Sequence, residues 1–302
     1  LHAVRSIRIG GRELSEAHDH GTSGAASCLQ LRGEYLFVAE GRGGFRVYDV
    51  ASIANKGVSQ RIITAPYSPL GHDAHVATTN ATCMALPTNQ PVAPQRNKGD
   101  LMRVTNQEQP FHPIYHYAFI VDAVEGLILV NVDTFADGEP RNNNLTRALT
   151  WNDGGILSGA RHITVGGHYL YIAADAGLVI LDVDDPMKPK VARVVDLPGV
   201  RASTLQFRYL FVTDATGLRV VDVTVPEKAR VVGAPSAFVG LRDAQRVYVA
   251  RTFAYVANGR DGLAIIDVEK PESMRLYEMF NAGGALNDAH DVIVASTNAS
   301  LF

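Results

Sequence analysis

Short apolar runs separated by polar turns recur along most of this chain. The clearest example runs from Tyr169 to Pro186 and reads YLYIAADAGLVILDVDDP, which is two apolar segments joined by a turn. Nearly the same phrase returns from Tyr209 as YLFVTDATGLRVVDVTVP and from Phe253 as FAYVANGRDGLAIIDVEKP. Alternate side chains of a strand face opposite ways, and here both sets are apolar. The pattern therefore predicts strands that are covered on both faces.

The phrase occurs in two earlier copies, YLFVAEGRGGFRVYDV from Tyr35 and YAFIVDAVEGLILVNV from Tyr117. Every copy has a glycine in its central turn, where glycine supplies a positive φ for a tight hairpin. These turn glycines are Gly44, Gly126, Gly177, Gly217 and Gly262. The last three intervals between them are 51, 40 and 45 residues, close to the roughly 40–50 residues of one propeller blade.

An acidic or Asn residue also occurs in each turn, and it could suggest calcium binding. Such side chains bond the local backbone and tolerate turn conformations, so we expect a structural role for all of them. The residues are Glu40, Asp122, Asp175, Asp214 and Asn258.

Further strands are predicted on both sides of each hairpin. The prolines that end the hairpins, Pro186, Pro226 and Pro271, are followed by KVARVVDL, ARVVGA and MRLYEMF. Innermost strands are predicted at ASCLQL, ARHITV, AQRVYV and AHDVIV, which begin at Ala26, Ala160, Ala244 and Ala289. Four strands per unit and no helical period predict an all-β propeller of four-stranded blades, in which each sheet is buried between two others.

The repeats predict a single propeller domain over residues 1–302, with a long insertion at about 51–112. The ending AHDVIVASTNASLF resembles the start of the fifth repeat, AQRVYVARTFAYV. We therefore expect a sixth unit to begin there and the intact ring to have six or seven blades. We also expect the chain to be part of a longer polypeptide.

Composition narrows the function only slightly. The chain has 302 residues, of which 46% are hydrophobic and 20% charged, as is usual for a soluble domain with a large core. Its net charge of −3 gives no reason to expect a nucleic acid or an anionic membrane as partner. No apolar run approaches the roughly 18 residues of a membrane span.

The phrases LVILDV, LRVVDV and LAIIDV resemble the LVIVD repeat, a bacterial and archaeal β-propeller repeat, from about Ala26 to Phe302. The stretches at residues 68–91, 106–130 and 287–302 resemble large members whose propeller is linked to a multihaem cytochrome c region. This resemblance implies an extracytoplasmic location, in the periplasm or at the cell surface, and a role beside electron transfer. The haem would belong to an adjacent domain or partner, because no Cys-x-x-Cys-His motif occurs in this chain.

Three groups of residues are candidates for sites. His18, His20, His72 and His75 could hold a divalent metal ion together, although exposed polar turns explain them better. Inner-strand polar residues would line a central channel, where ligands often bind, or would satisfy one another there. They are Arg161, His162, Arg246, His290 and Asp291. The third group is the pair Cys28 and Cys83, a disulfide candidate.

The sequence favours a non-enzymatic interaction or scaffold propeller, associated with a multihaem cytochrome assembly. A metal-dependent propeller hydrolase or lactonase with its site at the channel mouth is one alternative. It requires carboxylates and histidines from several blades to converge on one ion. A surface adhesion module without metal or redox activity is the other.

Overall fold

The computed structural model describes residues 24–49, 74–94, 104, 110–139 and 142–294, and the short strands at 8–9, 12–13 and 63–64. By its internal contacts the chain divides into two compact units. Unit 1 comprises Leu1–Ala160 and Val183–Pro189, and unit 2 comprises Arg161–Asp182 and Lys190–Phe302. Each unit is built from antiparallel sheets whose strands follow one another in chain order.

Unit 1 contains a small hairpin of β1 (Arg8–Ile9) and β2 (Arg12–Glu13) and two larger sheets. Sheet 1 consists of β3 (Cys28–Arg32), β4 (Tyr35–Ala39), β5 (Phe45–Asp49), β6 (Ile63–Thr64) and β7 (His75–Val76). Sheet 2 consists of β8 (Ala81–Ala85), β9 (Tyr117–Asp122), β10 (Gly126–Asn131) and β11 (Thr146–Trp151).

Unit 2 contains three sheets. Sheet 3 consists of β12 (His162–Gly166), β13 (Tyr169–Ala174), β14 (Gly177–Asp182) and β15 (Lys190–Val195). Sheet 4 consists of β16 (Ala202–Gln206), β17 (Tyr209–Asp214), β18 (Gly217–Asp222), β19 (Arg230–Val231) and β20 (Phe238–Gly240). Sheet 5 consists of β21 (Val247–Ala250), β22 (Phe253–Ala257), β23 (Leu263–Asp267) and β24 (Arg275–Phe280).

The middle hairpin of each sheet is the repeated phrase of the sequence. In sheet 3, Ala174 of β13 pairs with Gly177 of β14, and the ladder continues to Tyr169 and Asp182. Gly177 has φ +108°, and a Cβ there would lie 2.5 Å from the carbonyl oxygen of Val195 on the outer strand. Glycine is required at this turn by its backbone conformation and by the close approach of the outer strand.

The core lies between successive sheets. Within unit 1, Phe37 and Val47 of sheet 1 belong to one buried cluster with Ile120 and Ile128 of sheet 2. In unit 2, one cluster joins sheet 3 to sheet 4 and another joins sheet 4 to sheet 5. Each cluster covers one apolar face of the two sheets that it joins, and sheet 4 has a neighbouring sheet on both faces, as the sequence predicts.

The carboxylates and the amide of the turns are largely structural. Asp122 is fully buried, and its carboxylate accepts hydrogen bonds from the backbone N–H groups of Val124, at 2.8 Å, and Glu125, at 2.9 Å. Asn258 accepts one from the N–H of Asp243. Asp175 differs because it lies one residue beyond the equivalent position, which Ala174 occupies, and it pairs with Arg161.

Two expectations about strand placement need correction. The interval at about 51–112, expected as an insertion, contributes β6 and β7 to sheet 1 and β8 to sheet 2. The innermost strand expected at Ala289 is absent from the described residues 289–294, where the backbone makes one isolated bridge, Gly259 with Ala289. The described residues hold five sheets of four or more strands, and six or seven blades remain a prediction.

The turn carboxylate of sheet 4 offers a stability test. Asp214 is 5% exposed and accepts the N–H groups of Thr216 and Gly217 and the Nε–H of Arg219. Asp214→Ala should therefore lower the free energy of unfolding by about 2–3 kcal/mol, because buried donors lose their acceptor. Asp175→Ala removes an exposed ion pair and should cost less than about 1 kcal/mol. Urea unfolding at neutral pH measures both, and equal losses would contradict the structural assignment.

The same carboxylate predicts a pH dependence. Burial acts to raise the pKa of Asp214, but hydrogen bonds from Thr216 and Arg219 outweigh it and leave the pKa lowered. The stabilisation is therefore present above the unfolded carboxyl pKa of about 3.9 and is lost as the pH falls through the folded value. The difference in stability between the wild type and Asp214→Ala should shrink below about pH 4, and a constant difference down to acid pH would argue against it.

Candidate functional site

The inner strands of neighbouring sheets are joined by side chains that reach the next backbone. In unit 2, His162 at the start of β12 accepts a hydrogen bond at Nδ1 from the N–H of Ser203, at 3.2 Å. In unit 1, Cys28 at the equivalent position of β3 accepts one from the N–H of Met84, at 3.4 Å. His162, predicted to line a channel, therefore holds two inner strands together.

The two cysteines occupy this same junction. The structure joins Cys28 of β3 to Cys83 of β8 by a disulfide, with the Cα atoms 4.8 Å apart and 55 residues between them in sequence. The bond links the inner strands of sheets 1 and 2 covalently where sheets 3 and 4 have the hydrogen bond of His162.

The other residues predicted to line a central channel also lie in unit 2, and the basic ones among them interact with acidic neighbours. Arg161 pairs with Asp175, and His290 pairs with Asp288 at 3.0 Å. Burial lowers the pKa of Arg246, and the charge of Asp291 opposes this shift. Arg246 therefore lies near Asp291. The ends of the inner strands in unit 2 thus carry both positive and negative side chains.

Arg201 and Asp243, which the sequence analysis did not predict, form a further ion pair in this region. Arg201 donates from Nη1 to the Asp243 carboxylate at 2.6 Å and to the carbonyl oxygen of Ala244 at 2.9 Å. The hydrogen bond from Arg201 is the main cause that lowers the pKa of Asp243. Arg201 could have been found from the repeat, because it aligns with Arg161 one residue before the inner strand.

The four-histidine metal hypothesis is only partly covered by the structure. His18, His20 and His72 lie outside the described residues. His75 lies in β7, where its Nε2 is 2.8 Å from the carbonyl oxygen of Gly43. Within the described ranges, no group of three or more His, Cys, Asp or Glu side chains could hold a metal ion. The metal site therefore stays a hypothesis.

A second candidate region lies at the turns that follow the inner strands of sheets 4 and 5. We call Phe207, Arg208 and Arg251 the turn face. Phe207 is 93% exposed and has φ +54°, and Arg251 has φ +55°. The equivalent turn positions in sheets 1 and 3 are Gly33, with φ +59°, and Gly167, with φ +60°. Phenylalanine and arginine thus occupy positions where sheets 1 and 3 have glycine.

The two turns of the turn face are adjacent. Gln206 donates a hydrogen bond from Nε2 to the carbonyl oxygen of Arg251, at 2.8 Å. Beside the turns lies an open pocket of about 350 Å³. Apolar atoms form much of its wall, and its lining includes Phe207, Tyr209, Arg251, Val268 and Pro271. The arrangement suits binding of an extended or protruding apolar group more than enclosure of a small substrate.

Comparison with known proteins agrees with the repeat and the fold. The LVIVD repeat model matches residues 23–58, 159–196 and 241–282, which contain the first, third and fifth copies of the phrase. The chain carries LVIVD repeats. Its copies from Tyr117 and Tyr209 lie outside the matched segments, although they form the same hairpins. A search of curated proteins found no match.

Solved structures with similar folds include β-propellers. A protein from Lactobacillus plantarum has a TM-score of 0.57 at 11% identity, over 86% of this chain and 72% of that one. A functionally unknown protein from Desulfotomaculum acetoxidans has 0.54 at 13% identity, over 87% and 74%. The β-propeller domain of Myceliophteria thermophila Cps50 (Swd1) has 0.51 at 13% identity, over 89% and 75%. At these identities the likeness establishes the fold, an all-β propeller, and nothing about function.

The junction of the inner strands can be tested through the disulfide. Cys28→Ala combined with Cys83→Ala should lower the free energy of unfolding by about 3–4 kcal/mol, because the unfolded chain gains the entropy of a loop of this length. His162→Ala removes one acceptor at the equivalent junction and should cost about 1 kcal/mol. Urea unfolding measures both variants.

A thiol titration in denaturant provides the direct control. It should find no free thiol before reduction and both cysteines after it. Two free thiols in the unreduced protein would show that the bond does not form.

Proposed function

We propose that this chain is an extracytoplasmic, non-enzymatic interaction propeller, which docks through the turn face on a multihaem cytochrome domain or subunit. The inner-edge side chains described above bond one another or neighbouring backbone, and this supports a binding scaffold more than a catalytic centre. Within the described residues, no helix is long and apolar enough to cross a membrane.

Phe207 is the observation that carries the proposal. A residue with a Cβ in the left-handed region costs about 1–2 kcal/mol relative to the right-handed one. A side chain that is 93% exposed recovers none of this cost by burial within the chain. Strain of this kind, held at the surface, is typical of functional sites, and a partner that buries the ring would supply the missing apolar contact.

The charges beside Phe207 indicate the chemistry of the partner surface. Arg251 is exposed, and its guanidinium group has no hydrogen-bond or ion-pair partner among the described residues. Arg208 lies over the ring of Tyr209 at 4.9 Å and within 3.8 Å of Glu272. Arginine beside an aromatic ring is a frequent combination at binding hot spots. We therefore expect an apolar patch flanked by carboxylates on the partner.

The location and the identity of the partner rest on separate arguments. Disulfides persist mainly outside the cytoplasm, so the Cys28–Cys83 bond supports an extracytoplasmic location. The choice of a multihaem cytochrome rests on a sequence resemblance. The stretches at 68–91, 106–130 and 287–302 resemble large LVIVD proteins whose propeller is linked to a multihaem cytochrome c region.

Phe207→Gly tests the proposal without weakening the fold. It removes the aromatic ring and introduces the residue that Gly33 and Gly167 provide in the equivalent turns. We expect the free energy of unfolding to rise by up to about 1 kcal/mol, while binding of the cytochrome is lost. The measurement is the haem retained from an extract of the source cells by immobilised wild type and variant, quantified by absorption.

Val191→Ala is the matched control, because Val191 is also an exposed apolar residue of unit 2, at 43%, and lies on the outer strand of sheet 3, not in the turns of sheets 4 and 5. It should retain as much haem protein as the wild type. If Phe207→Gly retained as much haem protein as the wild type, the turn face would not be the docking surface. If none of the three proteins retained haem protein, the cytochrome would not be the partner.

A further inference from the structure

A second groove opens on unit 2 beside the turn face. It has a volume of about 420 Å³, and its wall is mostly polar. Arg208 and Tyr209 line both this groove and the pocket that contains Phe207, so the two depressions adjoin. We call it the arginine groove, and its polar side chains are those of Arg208, Tyr209, Asp222, Arg230 and Glu272.

The groove exists because the outer strand of sheet 4 is interrupted. β19 ends at Val231 after two residues, whereas the outer strands β15 and β24 of sheets 3 and 5 have six residues each. Val232 still donates its N–H to the carbonyl oxygen of Val220, at 2.9 Å, and the chain then leaves the sheet and returns as β20. Gly233, where the chain leaves, lines the groove.

Arg230 lacks the hydrogen bonds that its equivalent makes in sheet 5. Asp222 pairs with Arg230 across β18 and β19, as Asp267 pairs with Arg275 across β23 and β24. Arg275 donates to Asp267 from Nε at 3.0 Å and from Nη2 at 2.7 Å. Nη2 of Arg230 is 3.9 Å from Asp222, and its guanidinium makes no hydrogen bond within the part of the chain that the structure describes. Exposure does not explain the difference, because the two arginine side chains are 79% and 78% exposed.

Arg208 faces the same groove and also has unused donors. It donates from Nη2 to the hydroxyl of Tyr209 at 2.7 Å, while Glu272 lies 3.8 Å away, too far for a hydrogen bond. Hydrogen bonds from Thr224 lower the pKa of Asp222, and the charges of Arg208 and Arg230 add to this shift. Both guanidinium groups therefore lie near Asp222. The residues equivalent to Arg208 in sheets 1, 3 and 5 are Glu34, His168 and Thr252.

The carboxylates of the groove are already engaged from within the chain. Asp222 accepts from the N–H and the hydroxyl of Thr224, at 3.0 and 2.6 Å, and Glu272 accepts from the hydroxyl of Tyr209. The bond from Tyr209 lowers the pKa of Glu272, so both carboxylates are charged at neutral pH. Two positive and two negative side chains leave the groove close to neutral, which disfavours a polyanion. A single carboxylate suits the unused donors, because it accepts two parallel N–H bonds from one guanidinium.

We infer that the arginine groove binds an aspartate or glutamate side chain of the docked partner, from a segment whose neighbouring apolar side chain enters the pocket beside Phe207. The inference rests on the proposed docking through the turn face, which shares Arg208 with the groove. Side chains two residues apart in an extended segment face the same way, so one segment can enter both depressions. Arg230 sets the preference for a carboxylate, because its planar fork matches that group.

A pair of peptides tests the inference on the 302-residue chain alone. The first is N-acetyl-Phe-Gly-Asp-Gly-Phe-amide, which offers an apolar side chain on either side of the carboxylate, and the second has Asn in place of Asp. An NMR titration followed at the amide of Gly233 should show about fivefold to tenfold tighter binding of the first peptide. Added salt should reduce this preference.

Substitutions at two equivalent arginines locate the effect. Arg230→Ala should abolish the preference for the Asp peptide, and Arg230→Lys should keep only part of it, because an ammonium group lacks the fork. Arg275→Ala is the matched control, since Arg275 is equally exposed but bonded to Asp267. It should keep the preference within about twofold of the wild type.

Two outcomes would overturn the inference. The first is equal binding of the two peptides by the wild type, including no binding of either, and the second is a preference that survives Arg230→Ala. Phe207→Gly should weaken the binding of both peptides and keep the preference between them, so failure of the turn face is distinguishable from failure of the carboxylate site. The titration contains no cytochrome, so its result is independent of the haem-retention experiment.

Discussion

The rest of the structure depends on the need to cover both faces of each middle hairpin. A sheet whose central strands are apolar on both sides cannot be stable with one face in water, since each large apolar side chain left exposed forgoes about 1.5–3 kcal/mol. Tyr171 and Leu170 are neighbours on β13, point to opposite faces, and are at most 2% exposed. Stacking one sheet on the next satisfies this requirement, and a propeller repeats that solution.

Polar side chains lie at the hairpin turns and between successive inner strands, where no ladder hydrogen bonds are available. Asp122 and Asp214 satisfy the backbone of the hairpin turns, where no ladder bonds are available. Successive inner strands share no ladder within a sheet, so His162 and Cys28 bridge them through side chains instead. Residues whose type suggests catalysis or metal binding are used here to hold the architecture together.

The sequence predicts the hairpins well because the residues that define each hairpin are close together in the chain. Alternating apolar residues and the glycine after the turn define β13 and β14 locally, and the repeat confirms them. β8 was missed because Ala81–Ala85 is short, contains Thr82, and is far in sequence from its partner β9. The turn at Asp175 was misaligned by one residue because Ala174 stands where Asp214 stands in the next copy.

The candidate binding residues were harder to predict. The exposure of Phe207 depends on how the turn projects, and the pattern of apolar residues assigns a phenylalanine to the core by default. Comparison of the repeat copies could have identified Phe207 as a turn residue, since Gly33 and Gly167 occupy the same position in two other copies. Arg201 and Asp243 form their pair only when sheets 4 and 5 are adjacent, so no local sequence rule reveals it.

An intact mass and a visible absorption spectrum of the protein, purified from its source without denaturation, test the central functional claim most directly. The account predicts a haem absorption band that elutes with the propeller, either on the same polypeptide or on a bound partner. A protein that elutes without haem, from cells in which multihaem cytochromes are present, would contradict it.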